Sequence, residues 1–219
     1  MCRAALADGG DLPDWLSFDP DSRVLSGVPG NADVGVHDLR ITVTDPEGES
    51  VSELFTLTVE NVNDTPVVVA PLADEEIDED VPCSLAIPEG TFTDPDLIHG
   101  DKLTLGAMLV GGDPLPAWLV FDPATRTLSG TAENADVGEY AIEIKATDLV
   151  GASATTSFQL TINNVNDTPI VAHQIEDATA YIKESFEYRL PKDRFTDPDL
   201  IHGDTLALER YSSEWRPVA

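Results

Sequence analysis

The chain has 219 residues, with 41 acidic against 12 basic side chains and a formal net charge of −29 at pH 7. Hydrophobic residues make up 42% of it, enough to build a core, so the acidity is not a mark of disorder. A surface this acidic is repelled by nucleic acid and by anionic membranes, which excludes both as partners, and no stretch reads as a segment inserted in a membrane.

Read from the N-terminus, residues 12–35 ("LPDWLSFDPDSRVLSGVPGNADVG") alternate short apolar runs with turn residues, and they return 103 positions later as "LPAWLVFDPATRTLSGTAENADVG". Residues 12–66 and 115–169 share 30 identities in 55 positions without a gap. "NVNDTP" closes this stretch at 61–66 and again at 164–169. "FTDPDLIHGD" recurs without change at 92–101 and 195–204. A fixed period of this kind is the signature of a tandem array, and 103 residues is an ordinary domain size. Residues 1–63 are the C-terminal part of one repeat, 64–166 a complete repeat, and 167–219 the N-terminal part of a further one. The chain is expected to be a piece of a longer array, with ends that say nothing about leader peptides.

Within the complete repeat, period-2 alternation predicts half-buried strands. "KLTLGAMLV" places Leu103, Leu105, Ala107 and Leu109 on one face, "EYAIEIKA" does so with Tyr140, Ile142, Ile144 and Ala146, and "TSFQLTIN" with Phe158, Leu160 and Ile162. Asp-Pro, Gly and Asn signals at 113–114, 122–123, 130, 134, 138 and 151 separate them. No window carries a helical apolar stripe. About seven short strands in roughly 100 residues predict an all-β, immunoglobulin-like sandwich. Trp15 and Trp118, each after Leu-Pro, are expected to anchor cores rather than to stack on sugars. Two cysteines give no disulfide framework. Cys83 is expected to be a small core or edge residue, and Phe186 stands at its place in the third repeat. The last residues, 209–219, and Met1 to Arg3 do not follow the period.

Acidic and amide side chains recur at fixed places: Asp94 and Asp96 with Asp197 and Asp199, followed by Gly100-Asp101 and Gly203-Asp204; Asn61, Asn63 and Asp64 with Asn164, Asn166 and Asp167; Asp45 with Asp148 at strand ends; and Asp33 with Asp136 in "NADVG". Carboxylates held together repel unless they share protons or bind a cation. Mixed carboxylate, amide and carbonyl oxygens suit a hard cation such as Ca2+. "DPDLIHGD" fails as an EF-hand loop because its glycine falls seventh. No Cys/His cluster has zinc spacing, and His99 and His202 are expected only to finish their loops. Taken alone, each motif would read as a turn former.

These stretches, "LPAWLVFDPATRTLSGTAENADVGEYAIEIKATD", "FTDPD" and "NVNDTP", resemble tandem cadherin-like domains of the dystroglycan-type and "Putative Ig" group, found in large microbial surface or secreted proteins. The resemblance covers most of residues 5–208. It implies immunoglobulin/cadherin-like β-sandwich repeats with Ca2+ at the joints. The first joint would use Asn61, Asn63 and Asp64 of the linker, Asp94, Asp96 and Asp148 of the following repeat, and Asp33 of the preceding one. The second would use Asn164, Asn166, Asp167, Asp197 and Asp199, with Asp136 and Glu79 upstream. The linkers depart from the cadherin pattern in beginning with Asn61 and Asn164 and in the placing of the proline. The first joint lacks an upstream glutamate, the second lacks a counterpart of Asp148, and Ile182 stands where Glu79 would repeat.

The expected function is a calcium-stiffened structural or adhesive segment of an extracellular or cell-surface protein, with cell-surface proteins or glycans as its partners. The alternative is an ancillary carbohydrate-binding or spacer module of a secreted polysaccharide-active enzyme, with Trp118 or Tyr140 as sugar contacts. Enzymatic activity is not expected: acids repeated in every unit are unlike a catalytic pair, and no G-x-S-x-G or phosphate-cradling loop is present. Residues 1–63 and 168–219 carry complementary parts of one domain, so the tail of one copy is able in principle to complete the head of another.

Overall fold

The computed structural model describes residues 1–209, and its regular structure is β with short 3-10 turns; no α-helix forms among the described residues. The stretch that leaves the repeat pattern lies, from residue 210 on, outside the described residues. The first repeat supplies β1 (Cys2–Leu6), β2 (Leu16–Asp19), β3 (Val24–Gly27), β4 (Gly35–Thr44) and β5 (Ser50–Val59). β1, β4 and β5 pair antiparallel in that order, and β2 and β3 make a hairpin.

The complete repeat contributes β6 (Val67–Val68), β7 (Glu75–Asp78), β8 (Cys83–Ala86), β9 (Phe92–Thr93), β10 (Thr104–Leu109), β11 (Leu119–Asp122), β12 (Thr127–Gly130), β13 (Gly138–Thr147) and β14 (Ser153–Asn163). Two layers make its sandwich, β10-β13-β14-β7 and β11-β12-β8. β7 runs parallel to β14, with Ile77 opposite Ile162, and β8 runs antiparallel to β12, with Leu85 opposite Leu128. Among the described residues, the third repeat forms the short pair β15 (Ile170–Val171) and β16 (Phe195–Thr196).

By compactness the chain divides into two units, one made of residues 1–70, 90–105 and 145–155, the other of 71–89, 106–144 and 156–219. The sequence period and the packing therefore cut the chain at different places. In the second unit the predicted faces close into a core of Leu119, Leu128, Ile142, Ile144, Phe158, Leu160 and Ile162, all buried. In the first unit Ala5, Leu16, Leu39, Phe92 and Ala146 are buried. Alternation is clean in β13 and β14 but not in β10, where Leu105 to Leu109 are all half-buried. β10 stands at the edge of its sheet, so neither of its faces is fully enclosed.

Trp118 is half-buried, and its ring meets Tyr140 edge-on, with centroids 5.8 Å apart at 77°. Its carbonyl approaches β12 so closely that a Cβ on Gly130 would lie 1.9 Å from it, and Gly27 stands in the same relation to Trp15. Only glycine fits at these two strand ends. Both cysteines are free and half-buried, and burial pushes the Cys83 thiol up, which keeps it unreactive.

Candidate metal centres

The Asp-Pro-Asp motif builds its own carboxylate-presenting turn. Asp94 is extended (φ −141, ψ 133) and caps a 3-10 turn, Pro95–His99, through a 2.8 Å bond from the Asp96 N–H to its Oδ1. Pro95 has no N–H to satisfy at this first position, and its ring fixes the entry of the turn. Gly100 ends it in the left-handed region (φ 93). Residues 197–203 repeat the turn with nearly the same dihedrals, φ −141 and ψ 132 at Asp197 and φ 97 at Gly203. Identical sequence has therefore folded into identical local geometry, with both carboxylates of each pair buried.

In the first unit, Asp94, Asp101 and Asp148 each offer a carboxylate oxygen, and these atoms lie within 4.8 Å of one another. Asp148 ends β13's apolar run, and its Oδ1 accepts from the N–H groups of Val150 at 3.0 Å, Gly151 at 2.6 Å and Ala152 at 2.8 Å. Its Oδ2 accepts from the Asn63 amide at 2.9 Å. The Asn63 amide, then the backbone donors, hold the Asp148 carboxyl below its usual range, against burial. Asp96 takes the Asp64 N–H at 2.5 Å, and Asp64 in turn takes the Asn31 amide at 2.6 Å. The His99 ring bonds the Asn31 carbonyl at 2.7 Å. Asp94 Oδ2, Asp96 Oδ1 and Asp101 Oδ2 are buried without a hydrogen-bond partner.

The second unit repeats the arrangement. Asp197, Asp199 and Asp204 bring carboxylate oxygens within 4.8 Å of one another. Asp199 accepts from the Asp167 N–H at 2.5 Å and from the Asn134 amide at 3.1 Å. These two contacts, the Asn164 amide and the charge of His202 lower the Asp199 carboxyl, the Asp167 N–H most and burial opposing. His202 bonds the Asn134 carbonyl at 2.8 Å. Asp197 Oδ2 and Asn134 Oδ1 are buried and unpartnered. Glu79 is 1% exposed; its Oε1 takes the Val165 N–H at 2.8 Å, and its Oε2 has no partner. Among the described residues the ion pairs are Arg3–Asp11 and Asp193–Arg194, so no lysine or arginine forms an ion pair with either cluster.

The residues predicted from sequence fall into three groups. Asp64, Asn63, Asp94, Asp96 and Asp148 meet in the first cluster, and Asp167, Asp197 and Asp199 in the second. Asn166 turns its amide to the Asp167 carbonyl at 2.8 Å, Asn164 bears on Asp199, and Asn61 is exposed. Asp33 and Asp136 face elsewhere: their carboxylates accept the N–H of Gly30 at 2.9 Å and of Glu133 at 3.0 Å, closing the turns they sit in. The neighbouring Asn31 and Asn134 reach the clusters instead. Asp101 and Asp204 stand in a recurring acidic feature but not in the expected ligand sets, and the two asparagines lie inside a recurring motif without being named for either joint. The histidines do more than finish their loops, since each ties its turn to the "NAD" segment.

The family profile described as Putative Ig domain matches residues 3–60 and 65–163. Among solved structures, Protocadherin gammaB7 EC3-6 is similar at 16% identity over 81% of this chain and 45% of that one, with a TM-score of 0.53. Human Mucin-like Protocadherin EC1-2 is similar at 14% identity over 75% of this chain and 85% of that one, with a TM-score of 0.50. An endo-fucoidan hydrolase from glycoside hydrolase family 107 is similar at 24% identity over 75% of this chain, with a TM-score of 0.39. This chain spans 24% of the hydrolase's length. No curated protein matches the chain significantly.

Proposed function

The chain belongs to the Putative Ig domain family, and on that premise we propose that it is a calcium-binding, non-enzymatic repeat segment that stiffens an extracellular or cell-surface protein. The observation that supports this reading is the set of buried carboxylate oxygens without partners at two equivalent places, with no lysine or arginine ion pair to either among the described residues. Buried charges unpaired in this way are costly, and a hard divalent cation relieves the cost.

The donors fit Ca2+ in kind, since all are carboxylate or amide oxygens and neither histidine faces the clusters as a ligand. Asp94, Asp96, Asp101 and Asp148, with Asn63 and Asp64, would hold an ion in the first unit. Asp197, Asp199 and Asp204, with Asn166, Asp167 and Asn134, would do so in the second. A bound ion supplies positive charge that turns mutual repulsion into shared coordination. The protein's own part is orientation: the Asp-Pro-Asp turns fix two carboxylates, and the Asp64 and Asp167 N–H groups clamp each linker to its turn. Stiffening follows because binding to the folded state alone stabilises it.

Thermal unfolding with millimolar Ca2+, with chelator and with Mg2+ tests the reading. A Ca2+-specific rise in Tm that is reduced in Asp94→Ala supports it. An unchanged Tm in all three conditions sinks it. No observation favours sugar binding: the Trp118 ring is engaged by Tyr140, whose hydroxyl donates to the Asp136 carbonyl at 2.8 Å.

A further inference from the structure

Each carboxylate cluster carries a closed circuit of hydrogen bonds through three segments of the chain. In the first unit His99 Nε2 donates to the Asn31 carbonyl at 2.7 Å, and the Asn31 amide donates to Asp64 Oδ2 at 2.6 Å. The Asp64 N–H donates to Asp96 Oδ2 at 2.5 Å, and the Asp96 N–H to Asp94 Oδ1 at 2.8 Å. Asp94 caps the turn Pro95–His99, whose last residue is His99, so the circuit returns to its start. It joins the "NAD" segment of one repeat, the linker and the Asp-Pro-Asp turn of the next, all within one packed unit. The second unit closes the same circuit. His202 Nε2 donates to the Asn134 carbonyl at 2.8 Å and the Asn134 amide to Asp167 Oδ2 at 3.1 Å. The Asp167 N–H then donates to Asp199 Oδ2 at 2.5 Å, and the Asp199 N–H to Asp197 Oδ1 at 3.0 Å.

Histidine is the one member of either circuit whose side chain has no oxygen to offer a hard cation. A carbonyl only accepts, so Nε2 carries a hydrogen in both. Both histidines are exposed, so core packing does not account for them. The first circuit uses one oxygen of each carboxylate in its turn, Asp94 Oδ1 and Asp96 Oδ2. Asp94 Oδ2 and Asp96 Oδ1 stay buried without a partner, so circuit and ion do not compete for the same atoms.

We propose that His99 and His202 are positioning residues that set each joint before an ion arrives. They hold the "NAD" segment against the turn, so that Asn31 and Asn134 already reach the linker in the ion-free chain. Without the histidine the circuit opens, and its "NAD" segment loses the tie from its main chain to the turn. An ion then binds only the fraction of chains in which the three segments lie together, and its apparent affinity falls by that fraction. The net worth of one hydrogen bond corresponds to roughly two- to tenfold. This effect on affinity rests on the calcium reading given above, whereas the circuit is made of protein groups alone.

Hydrogen exchange and calcium titration of the 219-residue chain test this with three double variants: His99→Ala/His202→Ala, His99→Gln/His202→Gln and His99→Asn/His202→Asn. In chelator, the Asp64 and Asp167 amides should exchange roughly two- to tenfold faster with alanine, while those of Ile142 and Leu160 in the core are unchanged. Glutamine carries an amide N–H about as far out as Nε2 and should restore slow exchange; asparagine reaches only as far as Nδ1 and should not. A side chain that merely filled space would not sort glutamine from asparagine. In calorimetric titration with Ca2+, the alanine and asparagine variants should bind roughly two- to tenfold more weakly than the wild type, and the glutamine variant as tightly. Equal exchange at Asp64 and Asp167 in the wild type and the alanine variant overturns the proposal. So does a glutamine variant that behaves like alanine, or a wild type that binds Ca2+ no more tightly than the alanine variant. Exchange that follows the expected order in a wild type that takes up no Ca2+ upholds the latch and removes the calcium reading instead.

Discussion

Asp148 and Asp199 show how single residues tie charge to stability in this protein. Both carboxyls are lowered by hydrogen bonds that exist only in the folded chain, chiefly from Asn63 and from the Asp167 N–H. A lowered carboxyl stabilises the fold above its ordinary value of 3.8 and loses that contribution as the pH falls through the folded value beneath it. Without Ca2+, the acid limb of the stability curve should therefore lie below the ordinary carboxylate range. Asn63→Ala should move it to higher pH, read by circular dichroism melts in chelator at successive pH values; an unmoved limb would remove the Asn63 contact from the account. The same scale explains which cluster residues sequence reasoning reached. Asp94, Asp96 and Asp148 stand out by charge and recurrence, whereas Asn31 does not. Within "NADVG" the Asp33 carboxylate is spent on the Gly30 N–H, so the asparagine two residues earlier is the side chain left to reach the linker.

At the scale of elements, each strand is written in its alternation, but its neighbours are not. Phe158, Leu160 and Ile162 of β14 are buried as their period requires. Leu160→Ala should cost about 2–5 kcal/mol in urea unfolding, since it opens a cavity in a filled core. The close approach of Trp118 to β12 makes a second test. Gly130→Ala places a Cβ against backbone, which cannot yield as a side chain can, and should cost roughly 1–3 kcal/mol or more. A Gly130→Ala chain as stable as the wild type would show that the turn before β11 moves freely. Neither the parallel pairing of β7 with β14 nor the edge position of β10 could be read from the strands themselves, because a strand's period fixes which face is apolar and leaves open which partner covers it.

For the whole molecule the excess of acid dominates. A net charge of −29 opposes compaction by self-repulsion, so in chelator the Tm should rise with sodium chloride as the repulsion is screened. On the proposed reading, millimolar Ca2+ should have a larger effect than an equal concentration of sodium, because an ion held at the clusters would act locally. A response to Ca2+ no greater than that expected from ionic strength alone would reduce the clusters to ordinary surface acids. Compactness also redraws the repeat boundaries at this scale. Asn31 of the first repeat, the linker and the Asp94 turn of the second belong to one packed unit.

The sequence alone determined the period of 103 residues, the all-β class, the apolar faces of β13 and β14 and most of the acids in the two clusters. All of these follow from repetition, alternation and charge, which are properties of the chain read along its length. Tertiary structure decided which oxygens face one another, which are already spent on backbone N–H groups, and that Asp101 and Asp204 join their clusters while Asp33 and Asp136 close turns. Distance in space between residues far apart in sequence is set by packing, and no local pattern encodes it.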